Sequence, residues 1–215
     1  MYKPRWLLLI TLVILITAAS AISAVPDQTK AFKGCEVIGL RNGVNEIDIN
    51  GDGLKDLIVI RWRENYNAHG FDIVTFYLQF KSDVRPKDKW RLVPFFNETG
   101  VSEKTDFSTE MGADCILCDI RVVRPASPKK APVTIVIGVR DFGESYAEKA
   151  SVTFIVYELR YNKEGDPGKP PYYFQRTKTI PGRNKYCDIN DAFQKELGLG
   201  RYRSFTLFLF ASVST

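Results

Sequence analysis

The chain has 215 residues, 45% of them apolar, with 30 basic and 25 acidic side chains and a formal net charge of +5. That is enough for one domain with a substantial core, and the basic residues are scattered, with no run longer than Lys129-Lys130, so no nucleic-acid footprint is present. His69 is the single histidine, which excludes zinc hydrolases that need several.

Lys3 and Arg5 precede an apolar run from Trp6 to Ile16, and Ala19-Ser20-Ala21 and Ile22-Ser23-Ala24 follow as candidate cleavage sites. This is the pattern of a secretory signal peptide over residues 1–24, and the run is short for a membrane span, which needs about 20 apolar residues. The expectation is an exported, periplasmic protein with one domain over residues 25–215 and no stable membrane span after cleavage. Without Lys3 and Arg5 the basic count falls to 28 against 25 acids, a net charge of +3.

Strand signals dominate the remainder. Runs rich in Val, Ile, Phe and Tyr, separated by turn clusters, predict strands over Asn45–Ile49, Asp56–Arg63, Phe71–Phe80, Trp90–Phe95, Asp114–Arg124, Val133–Arg140, Val152–Asn162 and Tyr172–Ile180. Phe71–Phe80 is apolar on both of its alternating faces in part, as in a sandwich or at a dimer contact. Tyr161–Pro171 is a turn-rich connection. Near the end, Asp188 can cap a helix whose Ile189, Ala192, Phe193 and Leu197 share one face, and Gly198 can stop it. The apolar tail Ser204–Ser214 reads as a last strand. Many strands with one late helix predict a mainly β chain, an antiparallel β-sandwich with a short C-terminal α-helix.

Between the first two strands, Asp48-Ile49-Asn50-Gly51-Asp52-Gly53-Leu54-Lys55-Asp56 reads as a calcium loop. Asp48, Asn50, Asp52 and Asp56 fall at loop positions 1, 3, 5 and 9, the Leu54 carbonyl at position 7 and Gly53 at the sharp turn of position 6. Calcium takes six to eight oxygens, so one or two waters would complete the set. Position 12 is Val59 where an EF-hand has a bidentate glutamate, and a β-branched run replaces the flanking helix. The loop therefore joins two strands, and its calcium is expected to be structural.

Cys35, Cys115, Cys118 and Cys187 make an even count, which in an exported chain predicts two disulfides. Cys115 and Cys118 lie three apart on an extended segment and point to opposite faces, so each is expected to bridge to Cys35 or Cys187, with the pairing open.

Signals for chemistry are weak. His69 sits in the polar, aromatic connection Arg61–Phe71 and is expected to satisfy loop backbone groups, while Glu64, Asn65 and Asn67 could reach back to the acidic loop or cap the turn. Ser127-Pro128-Lys129-Lys130 is the only Ser-x-x-Lys match and lacks the helix start and partner motifs of a serine β-lactamase. Asn97-Glu98-Thr99 fits a glycosylation sequon, a match common by chance. The chain reads as a binding or protective module without catalysis.

Asp48–Val59 joined to Trp62-Arg63-Glu64-Asn65-Tyr66-Asn67-Ala68-His69-Gly70-Phe71, with Gly112-Ala113-Asp114-Cys115 and Tyr186-Cys187-Asp188-Ile189-Asn190, resembles the carbapenem intrinsic-resistance family typified by CarG, from about Gly43 to Leu199. The resemblance implies an exported protein that protects a carbapenem producer from its own antibiotic, a dimeric β-sandwich and a cation site. With no β-lactamase signature, it points toward sequestering the carbapenem or shielding a cell-wall target protein. That family is similar in structure to periplasmic inhibitors of invertebrate-type lysozyme, whose Ser-Gly-x-x-Tyr loop has no match here. Gly143-Glu144-Ser145-Tyr146 has the residue types in the wrong order. Lysozyme inhibition is thus the second reading, and a calcium-stabilised secreted binding module of another ligand the third.

Overall fold

A computed structural model describes residues 31–67, 69–80, 89–111, 115–128 and 130–200. The expected leader over residues 1–24 and the apolar tail 204–214 lie outside the described residues. Among the described residues thirteen strands form two stacked sheets: β1 (Cys35–Val37), β2 (Gly43–Ile47), β3 (Asp56–Arg63), β4 (Phe71–Gln79), β5 (Trp90–Leu92), β6 (Phe95–Phe96), β7 (Ser102–Lys104), β8 (Phe107–Ser108), β9 (Glu110–Met111), β10 (Ile116–Pro125), β11 (Thr134–Arg140), β12 (Ala150–Tyr161) and β13 (Tyr172–Tyr186). The large sheet runs β1-β10-β11-β12-β13-β6-β7 with β9 beside β10, and the small sheet runs β2-β3-β4-β5 with β8 beside β4. This is the expected mainly β sandwich.

Alternation builds the core. Ile58 of β3 and Val74, Phe76 and Leu78 of β4 face Cys118, Ile120 and Val122 of β10, Ile135 and Ile137 of β11, and Phe174 of β13 across the gap. The other face of the large sheet is covered by the C-terminal helix, so this sheet is buried on both sides. Helix α1 (Ile189–Ala192) continues into a π-helical turn, Phe193–Leu197. Its ends follow the sequence: Asp188 Oδ1 accepts the Asn190 N–H at 2.8 Å, and Gly198 takes φ +69°. Gly138 of β11 makes the close approach possible, because a Cβ there would meet Ile189 and Phe193 at 2.7–2.8 Å. Among the described residues no helix is long and apolar enough to cross a membrane.

Two strand expectations need correction. Trp90–Phe95 is not one strand: β5 belongs to the small sheet and β6 to the large one, and the chain changes sheets at Val93-Pro94, where the Val93 N–H bonds the Phe76 carbonyl and the Pro94 carbonyl takes the Phe174 N–H, both at 2.9 Å. The crossing brings β6 alongside β13 in a short parallel pair within sheets that are otherwise antiparallel, as expected. The strand expected over Tyr172–Ile180 continues to Tyr186, because a bulge takes up Gly182, Arg183 and Asn184 between the Thr153↔Pro181 and Ser151↔Lys185 pairs.

The cysteines also differ from expectation. Cys115 and Cys187 are bonded, with Cα atoms 5.3 Å apart, while Cys35 and Cys118 carry free thiols. A second bridge is geometrically closed. Cys35 pairs with Pro125, and Cys118 lies seven residues back along the same strand, about 23 Å at 3.3 Å per residue. Cys118 faces the core, and burial pushes its thiol up to about 12.

Candidate functional site

The Asp48–Asp56 loop closes on its own amides. The Asp48 carboxylate accepts the N–H groups of Gly51 (2.7 Å) and Gly53 (2.9 Å), Asn50 Oδ1 accepts that of Asp52 (3.0 Å), and Asp52 Oδ1 accepts that of Leu54 (2.7 Å). Asn50 Nδ2 donates to Asp52 Oδ2 at 3.0 Å. Gly51 lies so close beneath Lys130 that a Cβ would sit 1.9 Å from the Lys130 carbonyl oxygen, Arg124 donates to the Asp48 carbonyl, and the Val133 N–H bonds the Ile49 carbonyl at 2.9 Å. The loop thus ties the end of the small sheet to the β10–β11 connection.

Asp56 is placed differently from the other loop acids. It shares the inward face of β3 with Ile58, is fully buried, and accepts the N–H groups of Ile49 (2.7 Å) and Gln79 (2.8 Å). Burial pushes its carboxyl up and the two amide bonds pull it down, with a net rise. Among the described residues no three Asp, Glu, His or Cys side chains converge as a metal centre. Asp48, Asn50, Asp52 and Leu54 stay at least partly exposed, and the first three carry hard oxygens of the kind calcium takes, each able to use a second lone pair. A cavity of about 260 Å³ beside them is lined by Asn50, Asp52, Leu54, Gln79, Phe80 and Tyr172.

Glu64, Asn65, Asn67 and His69 are not beside this loop. The seven steps along β3 from Asp56 to Arg63 put about 23 Å between the two ends, so none of them reaches a cation at the loop. Their polar atoms serve their own turn instead. The Trp62 Nε1–H (3.2 Å) and the backbone N–H groups of Tyr66 (3.0 Å) and Asn65 (3.1 Å) hold the exposed Glu64 carboxyl below its ordinary value. Asn67 Oδ1 accepts the His69 N–H at 2.8 Å and the Asn65 amide at 3.4 Å. Trp62 packs against Gly70, where a Cβ would meet the indole at 1.9 Å.

The His69 ring does not satisfy loop backbone as expected. It stacks on Tyr146, centroids 4.2 Å apart, and its buried Nδ1 has no hydrogen-bond partner among the described residues. Tyr146 donates to Glu110 at 3.0 Å, a bond that raises the phenol pKa, and packs edge-on against Phe142 at 5.0 Å. The connection that carries Phe142 and Tyr146 wraps round the buried Arg140, whose guanidinium donates to the carbonyls of Ser145 (3.4 Å), Tyr146 (3.2 Å) and Glu148. Nothing in the local pattern marks Arg140 as the centre of a loop.

Gly70 bridges Met111, Met111 pairs with Ile116, and the neighbouring Cys115 is bonded to Cys187 at the cap of α1. The Trp62–Phe71, Cys115 and Tyr186–Asn190 stretches therefore meet at one end of the sandwich, around the His69–Tyr146 stack and the half-exposed Trp62 and Phe142. The acidic loop occupies the opposite end. Asn97, read as a sequon, is engaged in its own turn: Oδ1 accepts from the N–H of Thr99 (3.0 Å), the Thr99 hydroxyl (2.8 Å) and the N–H of Val101 (2.9 Å).

No curated protein matches the chain. A solved structure, "Crystal structure of CarG", is similar over 75% of this chain and 98% of its own, with 25% identity and a TM-score of 0.60. The match to the family described as carbapenem resistance protein CarG-like spans residues 40–195, which contains both ends of the sandwich, and the chain belongs to that CarG-like family of carbapenem resistance proteins.

Proposed function

We propose that this is an exported protein that protects its host against a carbapenem without opening the β-lactam ring, by holding the drug or shielding its target. The family match over residues 40–195 carries this reading. The geometry around His69 is in keeping with it: the only histidine of the chain is stacked on Tyr146, and among the described residues its Nδ1 has no carboxylate or hydroxyl to pair with. The aromatic end is the surface assigned to the protective contact. Expression of residues 25–215 behind a periplasmic signal should raise carbapenem tolerance several-fold, while the purified protein leaves the drug's ring absorbance decaying at the buffer rate. Accelerated ring opening by the purified protein would overturn this reading.

We further propose that calcium binds on the outward side of the other end, held by Asp48, Asn50, Asp52 and the Leu54 carbonyl with water completing the shell; its role is to stiffen the loop. Two carboxylates and few protein oxygens place it with weak extracellular sites, Kd near ~1 mM. At about 10 mM calcium, RT ln(1 + [L]/Kd) gives about 1.4 kcal/mol, a Tm rise of about 3–5 °C for a domain of this size. Chelator should remove the rise, and Asp52→Ala should make the two melting curves coincide. Coincident curves in the unaltered protein would refute the site.

A further inference from the structure

A cavity of about 170 Å³ opens between the sheets where the chain leaves β1 for the small sheet. Its walls include Val37, Ile38, Ile60 and Val74, and two carboxylates line it, Asp72 from β4 and Asp119 from β10. Their circumstances differ.

Asp119 is committed to the strand edge. Ile38 bonds the Val122 carbonyl at 2.8 Å and β9 pairs with β10 only at Ile116 and Cys118, which leaves Ile120 in a gap without a strand neighbour on that side. Side chains fill it: Asp119 Oδ1 accepts the Ile120 N–H at 2.8 Å, and Arg121 Nη1 donates to the Ile120 carbonyl (2.9 Å) and to Asp119 Oδ2 (2.8 Å). The guanidinium lies over the Phe193 ring, 4.4 Å from its centroid, and also donates to Asn190. Arg121 is thus spent on Asp119, β10 and the helix.

Asp72 has no such partner. Its backbone is fixed by Thr109, whose Oγ1 accepts the Asp72 N–H at 2.8 Å and whose own N–H bonds the Asp72 carbonyl at 2.9 Å. The Asp72 carboxylate has no hydrogen bond or ion pair among the described residues, and burial, with Asp119 adding to it, pushes its carboxyl up. Arg121, 5% exposed on the same wall, has an Nε–H without an acceptor among the described residues. Asp72 is half-buried, and a carboxylate desolvated to that extent with no counter-charge beside it lowers stability unless something fills the role of its partner. Two carboxylates against one guanidinium leave the cavity one negative charge in excess, in apolar walls that strengthen any pairing made there.

We propose that this cavity binds a small organic ammonium, the cation paired with Asp72 and the alkyl body lying on Val37, Ile60 and Val74. The site needs only the Asp72 carboxylate and its apolar walls, so it is separate from the resistance reading and does not rest on it. The test uses n-butylammonium, with butyrate and 1-butanol as anionic and neutral isosteres, followed by backbone amide NMR on the folded domain. Butylammonium should give saturable shift changes at Asp72, Thr109 and Ile120 with Kd of about 1–10 mM, and neither isostere should saturate them. Asp72→Asn should weaken binding at least tenfold while holding Tm level or raising it by about 2 °C, because it removes an unmatched charge. Equal binding of butyrate or butanol, no saturable change at these amides, or a fall in Tm of Asp72→Asn would each overturn the assignment.

Discussion

Glu196→Ala is expected to lower the unfolding free energy by about 4 kcal/mol, which for this domain corresponds to a Tm drop of roughly 8–16 °C. Glu196 sits in the π-helical turn, 1% exposed, and receives five hydrogen bonds. Its Oε1 accepts the backbone N–H of Arg183 (3.2 Å) and Asn184 (3.1 Å), the Asn184 side-chain amide (3.0 Å) and the Tyr186 hydroxyl (2.9 Å), and its Oε2 accepts Arg183 Nε (2.8 Å). Removing the carboxylate leaves the hydroxyl of the buried Tyr186 and the backbone N–H groups of Arg183 and Asn184 without their acceptor and releases the helix from the far end of β13. Burial pushes the Glu196 carboxyl up, but the bonds from Arg183, Tyr186 and Asn184 outweigh it, so its pKa lies below the ordinary 4.5. A carboxyl whose folded pKa is depressed stabilises the fold above its unfolded pKa, and that contribution is lost as pH falls through the folded value. Urea titrations at pH 7 and pH 3 should show the unaltered protein losing stability with acid, and Glu196→Gln, less stable at pH 7, should lose less of it. A variant as stable as the parent at pH 7 would show that the helix is held by its apolar face alone.

Much of the fold is legible because it depends on local periodicity. The β3 and β4 runs alternate cleanly, and the helix announces its cap, face and stop within a dozen residues. The sheet switch at Pro94, the parallel β6–β13 pair and the two- and three-residue edge strands carry no period of their own. They form because a distant neighbour supplies partners. Asp56 is instructive in a different way. Loop spacing groups it with Asp48 and Asp52, but strand parity groups it with Ile58, and burial follows parity. Glu196, Arg121 and Arg140 look like ordinary charged residues in sequence, since the groups that surround each come from remote strands or from a loop that closes only on folding. The site divides the same way. The sequence identifies the stretches that belong together, whereas only the hairpin geometry places Trp62–His69 at the far end from the acidic loop.

Breaking the Cys115–Cys187 bond with paired serine substitutions is expected to lower stability by about 4 kcal/mol, because the bridge closes a loop of 72 residues in the unfolded chain. The loss should also be uneven across the molecule. One half of the bridge adjoins the Met111 and Gly70 pairing, and the other precedes the Asp188 cap, so the bond fixes the spacing between the β3–β4 hairpin and the helix. Hydrogen exchange should therefore speed first at residues 64–70, 141–149 and 188–192, while the Asp48–Asp56 loop, tied by Arg124, Lys130 and Val133 at the other end, keeps its protection. Cys35→Ser should change stability by less than about 1 kcal/mol, since that half-buried thiol closes no loop. If the aromatic end makes the protective contact, the double variant should lose carbapenem tolerance at temperatures where the sandwich is still folded. Tolerance that tracks only the global melting curve would place the contact on another surface.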